Sequence, residues 1–335
     1  MKTEIVVASP CDRHQRSLTA ATERAVQLLR TGEIVALPTE TVYGLAADAL
    51  NPIAVAKIFE AKERPRLDPL IVHLPDRDWL DRVTQIRDED RKLIGKLADY
   101  FCPGPFTIVL PKKSIVPEIV TAGLDTVAVR ISAHPVFTRI IGEFGKPLAA
   151  PSANRFGRVS PTTAQHVLDE LDGRIPLIID AGRTSHGIES TILAVHQGKI
   201  DILRRGPITA EQLLQFGKID IVPPAGKISA PGQLPVHYAP KTPLQLIEDA
   251  TSFSPAENQR VGLLAWNPVR SEEKFLAIRR LSEKQELRDA AANLFRYLRE
   301  LDELDLDLIV AERVPSQALG AAIMDRLERA SGKGD

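Results

Sequence analysis

The chain has 335 residues, enough for two domains that each bury a core. With 44% hydrophobic and 26% charged residues and a net charge of −1, it has no global attraction to nucleic acid or anionic membrane, so any RNA contact would be a local patch. Its two cysteines, Cys11 and Cys102, exclude a disulfide framework and a cysteine-rich zinc site and fit a reducing compartment. The apolar run within MKTEIVVASPCDRHQRS is too short for a signal peptide and nothing approaches a membrane span, so a cytoplasmic location is expected.

In chain order, residues 19–30 have helical periodicity through Ala21, Ala25, Leu28 and Leu29, and Gly32 stops them. Residues 34–37 read as a buried strand ended by Pro38. TETVYGLAAD then reads as a polar loop in which Thr39, Glu40, Thr41 and Tyr43 crowd together. Asn51-Pro52 is an N-cap and first-turn proline for a helix with Val55, Ile58 and Phe59 inward. Pro65 ends it, which places Lys62 and Arg64 at an exposed helix exit. Residues 70–74 read as a strand carrying His73, 88–101 as a helix, and 106–110 and 126–131 as strands, the last carrying Arg130. Residues 147–162, PLAAPSANRFGRVSPT, form an apolar run followed by hydroxyls, an amide and two arginines around Gly157, the composition of an anion-binding loop. A helix over 162–171, a strand over 177–179, a polar loop over 180–191, strands over 192–195 and 199–205, and a Thr209/Gln212 capping box complete the first part.

Residues 216–243 hold Pro223, Pro224, Pro231, Pro235, Pro240 and Pro243, the composition of a stiff linker. Beyond it, strands over 244–247, 261–266 and 306–310 alternate with helices over 287–301 and 319–330, which predicts a small parallel α/β domain. The expected domains are therefore 1–215, a linker at 216–243, and 244–335.

No GxxxxGK[ST] loop, GxGxxG turn, GxSxG elbow, HExxH or CxxC is present. What the chain offers instead is basic and hydroxyl residues at strand ends and in loops: Lys62, Arg64, Arg130, Ser152, Asn154, Ser160, Ser190, Thr191 and Arg204. Arginine grips carboxylates and phosphates through paired donors, and Arg130 in a largely apolar strand needs a partner. His73 in LIVHL reads by default as a satisfied core histidine. Glu40, Asp48 and Asp180 are the nearest acidic groups, and no spacing singles one out as a base or metal ligand, so metal ligands stay unassigned.

LPTETVYGLAADA, KERPRLDPLIVHL, PGPFTIVLP, TVAVRI, LAAPSANRFGRVSPT and IESTIL follow one another in an order that resembles the YrdC-like family over about residues 18–210. PGQLPVHYAPKTPL and LGAAIMDRLERA resemble the linker and last helix of its long form, the threonylcarbamoyl-AMP synthases with a C-terminal extension. The resemblance implies a twisted mixed α/β sheet with helices around a concave cleft, plus a smaller Rossmann-like parallel domain. It implies condensation of L-threonine, bicarbonate or CO2 and ATP into L-threonylcarbamoyl-adenylate, with Mg2+ arriving on ATP and no organic cofactor. Downstream machinery would pass the group to the tRNA adenosine beside the anticodon; a weak tRNA contact is compatible with the reading, and no membrane is involved. The family signature falls on Lys62, Arg64, Ser152 and Asn154, expected to be catalytic. Arg64, Asp68, Thr126, Ser152, Ser160 and Arg204 are implied ATP contacts, with His237 and Tyr238 closing over the nucleotide from the linker. Thr41, His73, Arg130, Ala150 and Ser190 are implied threonine contacts. Asp68 stands where many members have asparagine, and Ala150 where many have threonine.

The chemistry agrees: a carboxylate suits Arg130, and carbamate attack on the α-phosphorus needs no enzyme nucleophile, only positioning and charge stabilisation. One alternative, an RNA-binding module, is opposed by near-neutral charge and only 5% aromatic residues. Another, a carbamoyl-handling maturation factor as in hydrogenase assembly, is opposed by too few cysteines for the zinc-finger region such chains carry.

Overall fold

The computed structural model describes residues 2–8, 16–222, 238–270 and 272–332. Cys11, His14, His237 and the proline-rich stretch 223–237 lie outside the described residues. The chain divides into two compact units: Met1–Phe156, Pro161–Thr184 and Glu189–Gln233 make the first, and Gly157–Ser160, Ser185–Ile188 and Leu234–Asp335 the second. Among the described residues no helix is long and apolar enough to cross a membrane.

The first unit runs β1 (Glu4–Val7), α1 (Arg16–Arg30), β2 (Val35–Leu37), β3 (Gly44–Asp48), α2 (Pro52–Lys62), β4 (Ile71–His73), α3 (Asp78–Val83) and α4 (Asp88–Phe101). It continues with β5 (Phe106–Pro111), α5 (Glu118–Thr121), β6 (Thr126–Arg130), α6 (Pro135–Phe144), β7 (Leu148–Ala149), α7 (Ala164–Leu171), β8 (Leu177–Asp180), β9 (Thr191–His196), β10 (Lys199–Arg204), α8 (Ala210–Leu213) and β11 (Lys218–Ile221). The strands form one mixed sheet in the order β1-β8-β2-β3-β7-β4-β6-β5-β9-β10-β11.

The middle of this sheet is buried on both faces, while its edge strands β1 and β11 are largely exposed. Because side chains alternate along a strand, Ile34 and Ala36 join one core with Val55, Ile58 and Phe59 of α2 and Ile94, Leu97 and Phe101 of α4. Val35 and Leu37 join the opposite core with Ala21, Ala25 and Leu29 of α1 and Val136, Phe137 and Ile140 of α6. Two-sided burial explains why GLAAD is a strand and not the polar loop expected from sequence: all five residues are buried, so no polar–apolar alternation marks them. It pairs antiparallel with β2, Leu37 opposite Gly44.

Part of the stretch read from sequence as linker forms a strand. Lys218–Ile221 is an edge strand parallel to β10, with Ile200 opposite Ile219. KIDI has the alternation of a half-exposed strand, which the neighbouring prolines obscured.

The second unit contains β12 (Leu244–Ile247), β13 (Val261–Ala265), β14 (Ala277–Arg280), α9 (Leu287–Asp302), β15 (Leu308–Glu312) and α10 (Leu319–Ala330). The strands are all parallel, in the order β12-β15-β13-β14. Strand β14 is not anticipated from sequence, since Arg279 and Arg280 interrupt its apolar character. At the end of β15 the buried Glu312 carboxylate accepts from the backbone N–H groups of Ala250 (2.7 Å), Trp266 (2.8 Å) and Asn267 (2.7 Å). Three loop donors beyond neighbouring strand ends are thus satisfied by one side chain. Gly187 approaches α9 so closely that a Cβ there would lie 2.5 Å from the Ala292 Cα, and its φ of +71° is itself a glycine conformation.

Candidate active site

Strands β4 and β6 run parallel, with Ile71 beside Ala128 and His73 beside Arg130. The predicted residues of the first unit gather at their two ends, and Thr126 and Arg130 stand roughly 13 Å apart at the strand rise of about 3.3 Å per residue.

At the start of β4, helix α2 sets the geometry. Asn51 Oδ1 caps it by accepting from the N–H groups of Ile53 (3.0 Å) and Ala54 (3.3 Å). It ends at Glu63 in the left-handed region, φ 54°. Lys62 and Arg64 are therefore turned inward, not exposed as expected: they are 1% and 8% exposed. The ammonium of Lys62 donates to the carbonyls of Ser152 and Asn154. Burial first, then the neighbouring Arg64 charge, holds its pKa well below that of an ordinary lysine. Arg64 donates through Nε to the Asp68 carbonyl (3.2 Å) and through Nη2 to the Pro69 carbonyl (2.8 Å). Its Nη2 also pairs with Asp68 Oδ2 at 2.9 Å. Sequence reasoning missed this burial because the partners that make it tolerable, Ser152 and Asn154, lie 90 and 92 residues along the chain.

At the far end of β4 and β6 a second group forms. Arg130 donates through Nε to the Gly104 carbonyl (3.2 Å), through Nη1 to Thr41 Oγ1 (2.9 Å) and through Nη2 to Glu40 Oε1 (2.7 Å). The other Glu40 oxygen accepts from Ser132 Oγ. Burial alone would push the Glu40 carboxyl up, but the Arg130 charge and the Ser132 and Arg130 hydrogen bonds outweigh it and bring the pKa down to about 2. His73 packs its ring 4.7 Å from Phe137. Burial and then the Arg130 charge lower its pKa to about 3, so it is neutral.

Thr107 lies beside Arg130 in the β5–β6 ladder and shares a 2.8 Å hydrogen bond with Ser190. Arg204 donates through Nη2 to Ser190 Oγ (3.0 Å) and to the Ser190 carbonyl (3.0 Å). The expected threonine contact Ser190 and the expected ATP contact Arg204 are therefore joined directly. Ala150, also buried, is tied to β4 by its N–H, which donates to the Ile71 carbonyl at 3.0 Å.

Ser160 and Tyr238 belong to the second unit. There the Tyr238 ring stacks on Phe295 (5.4 Å), with the Arg326 guanidinium 5.2 Å from its centre. Arg155, one of the two arginines of residues 147–162, pairs with Glu170 at 3.3 Å. Glu40, Thr107 and Ser132 are the site residues that sequence alone did not assign. For Thr107 a signal existed: it is a hydroxyl inside the buried run FTIVL. Among the described residues no group of three or more His, Cys, Asp or Glu could hold a metal ion.

The shifts at this second group predict acid lability. A histidine whose folded pKa is about 3 leaves the unfolded chain holding more protons between pH 6.5 and 3, so stability falls as pH drops through that window. Glu40 adds the same sign between pH 4.5 and 2. Chemical denaturation between pH 7 and 5 is expected to lose up to about 1.4 kcal/mol per pH unit from His73 once below 6.5. His73→Asn is expected to flatten that slope by about one proton; an unchanged slope would remove His73 from the account.

The family model described as "Telomere recombination", covering Sua5, YciO and YrdC, matches residues 27–206. A second, described as "Threonylcarbamoyl-AMP synthase, C-terminal domain", matches residues 208–332. The chain is 39% identical over 325 residues to a threonylcarbamoyl-AMP synthase of Pyrococcus abyssi, covering 92% of this chain and 93% of that one. It is 41% identical over 326 residues to that of Bacillus subtilis, covering 92% of each. The crystal structure of P. abyssi Sua5 complexed with L-threonine superposes with a TM-score of 0.88 at 35% identity, covering 99% of this chain and 98% of that one. With both halves matched in order, this chain belongs to the Sua5/YciO/YrdC family, in the form that carries the Sua5 C-terminal domain.

Proposed function

We propose that this chain is a threonylcarbamoyl-AMP synthase: it joins L-threonine, bicarbonate or CO2 and ATP into L-threonylcarbamoyl-adenylate and releases pyrophosphate. The product feeds modification of the tRNA adenosine beside the anticodon by downstream transfer enzymes. The observation that carries the reading is the Arg130 guanidinium. Of its five N–H donors, Gly104, Thr41 and Glu40 take one each, which among the described residues leaves one on each terminal nitrogen for a substrate carboxylate. The two relatives bear the synthase name, and the P. abyssi structure was obtained with L-threonine.

In this reading Arg130 receives the threonine carboxylate, while Thr41, Ser190 and neutral His73 surround its hydroxyl. Carbamate forms when the neutral amine attacks CO2 and loses a proton. A carbamate oxygen then attacks the α-phosphorus, and the bond to the β-phosphate oxygen breaks. Arg64 and Arg204 oppose the charge that develops on the phosphates. Lys62 acts through the Ser152–Asn154 turn whose carbonyls it holds. Asp68, Thr126, Ser160, His237 and Tyr238 are proposed on the nucleotide, and Ala150 on threonine through its backbone. Magnesium belongs to this reading as the ion that accompanies ATP, on phosphate oxygens and water.

Pyrophosphate release measured with each substrate omitted in turn tests the proposal. Release is expected only when threonine, bicarbonate and ATP are all present; ATP turnover indifferent to threonine would contradict it.

A further inference from the structure

We infer that Glu40 is a positioning residue for the amino-acid carboxylate: it clamps Arg130 so that the guanidinium presents its two remaining N–H groups to the substrate. The inference rests on the synthase reading above. Glu40 lies in the turn between β2 and β3, and Arg130 ends β6, 90 residues later. Their pair is nearly dry, with side chains 9% and 4% exposed. A buried ion pair adds little stability over an apolar pair of the same size, so stability alone gives no reason for one here. Its geometry gives a different reason. One carboxylate oxygen holds Arg130 and the other holds Ser132, two residues beyond the end of the same strand. The Ser132 hydroxyl in turn accepts from the His134 N–H at 3.2 Å, fixing the chain as it leaves β6. Glu40 is thus fastened at both oxygens, and through it Arg130 loses the rotations a long side chain otherwise keeps. Thr41 and Gly104 hold the other sides of the same guanidinium. Glu40 also offsets the Arg130 charge, so a carboxylate is recognised by directed donors and not by excess positive potential.

Glu40→Gln keeps the size and one acceptor oxygen but loses the charge and the symmetric grip. Steady-state pyrophosphate release and calorimetric titration with L-threonine are compared for wild type and variant. The expected result is a threonine KM and Kd raised at least about tenfold, the value of one hydrogen bond to a charged group, with the ATP KM within about twofold. A threonine KM that is unchanged or lowered in a folded variant would overturn the inference; a fall would mean that Glu40 competes with substrate for Arg130. Equal rises for threonine and ATP would also overturn it, as the signature of general distortion. If Glu40→Gln does not fold, Ser132→Ala decides, since it removes the Ser132 hydrogen bond from one carboxylate oxygen and leaves the ion pair. It is expected to raise the threonine KM alone, by about threefold, since Ser132 steadies Glu40 without itself touching Arg130; no selective rise would overturn the inference. Wild-type enzyme lacking threonine-dependent pyrophosphate release would instead remove the synthase reading itself.

Discussion

Arg64→Ala is expected to lower adenylate formation by at least about 100-fold, the usual cost of removing a donor aimed at developing charge. It is also expected to lower stability, because Arg64 is not the exposed helix-exit residue that KERPR suggests. Its guanidinium is 5% exposed and Asp68 fully buried, 2.9 Å apart. Removing one member of a buried pair takes that ion pair from the other, at a cost of about 3–5 kcal/mol. Thermal unfolding of the single variant and of Arg64→Ala with Asp68→Ala separates the two effects. The double variant is expected to regain most of the lost stability and none of the activity. Near-normal turnover in a folded Arg64→Ala protein would refute the assignment, and unchanged stability would mean the pair contributes nothing.

Lys62→Met is expected to separate the same two quantities in the opposite way. The substitution keeps the length of the side chain but removes the donor shared by the Ser152 and Asn154 carbonyls. Losing that donor costs roughly 1–3 kcal/mol for each acceptor. Removing a buried ammonium whose pKa is already driven down by burial returns a comparable amount. Stability near neutral pH is therefore expected to change by no more than about 2 kcal/mol. Activity is expected to fall by about 100-fold, because a shift of about 1 Å in a turn carrying two site residues has that effect. The alkaline limb supplies an independent check. With a folded pKa below 10.5, the unfolded chain holds more protons between the two values, so wild-type stability rises with pH through that window. Lys62→Met should lose that rise. Wild-type turnover in the variant would show that the turn does not need its clamp.

How far these features could be read beforehand depends on the range over which each is encoded. Helix α4 falls where its amphipathic pattern puts it, and the Thr209/Gln212 capping box forms with both reciprocal hydrogen bonds, because each is set within a few residues. The parallel order of the second unit follows from alternation of strands and helices. Strand β3 was hidden by burial on both faces, and β11 by the prolines beside it. In the candidate site, residue types were legible and environments were not. Glu40 was one acidic residue among several until a contact 90 residues away fixed it on Arg130. The burial of Lys62 depends in the same way on the carbonyls of residues 152 and 154.

In the proposed function this chain builds a mixed anhydride from an amino acid, one carbon of bicarbonate and the AMP portion of ATP. Its most direct test is mass spectrometry of the product formed with L-threonine, ATP and carbon-13 bicarbonate. The expected product is an adenylate that carries threonine and one labelled carbon, formed together with pyrophosphate. An unlabelled threonyl-adenylate, or ADP in place of pyrophosphate, would contradict it.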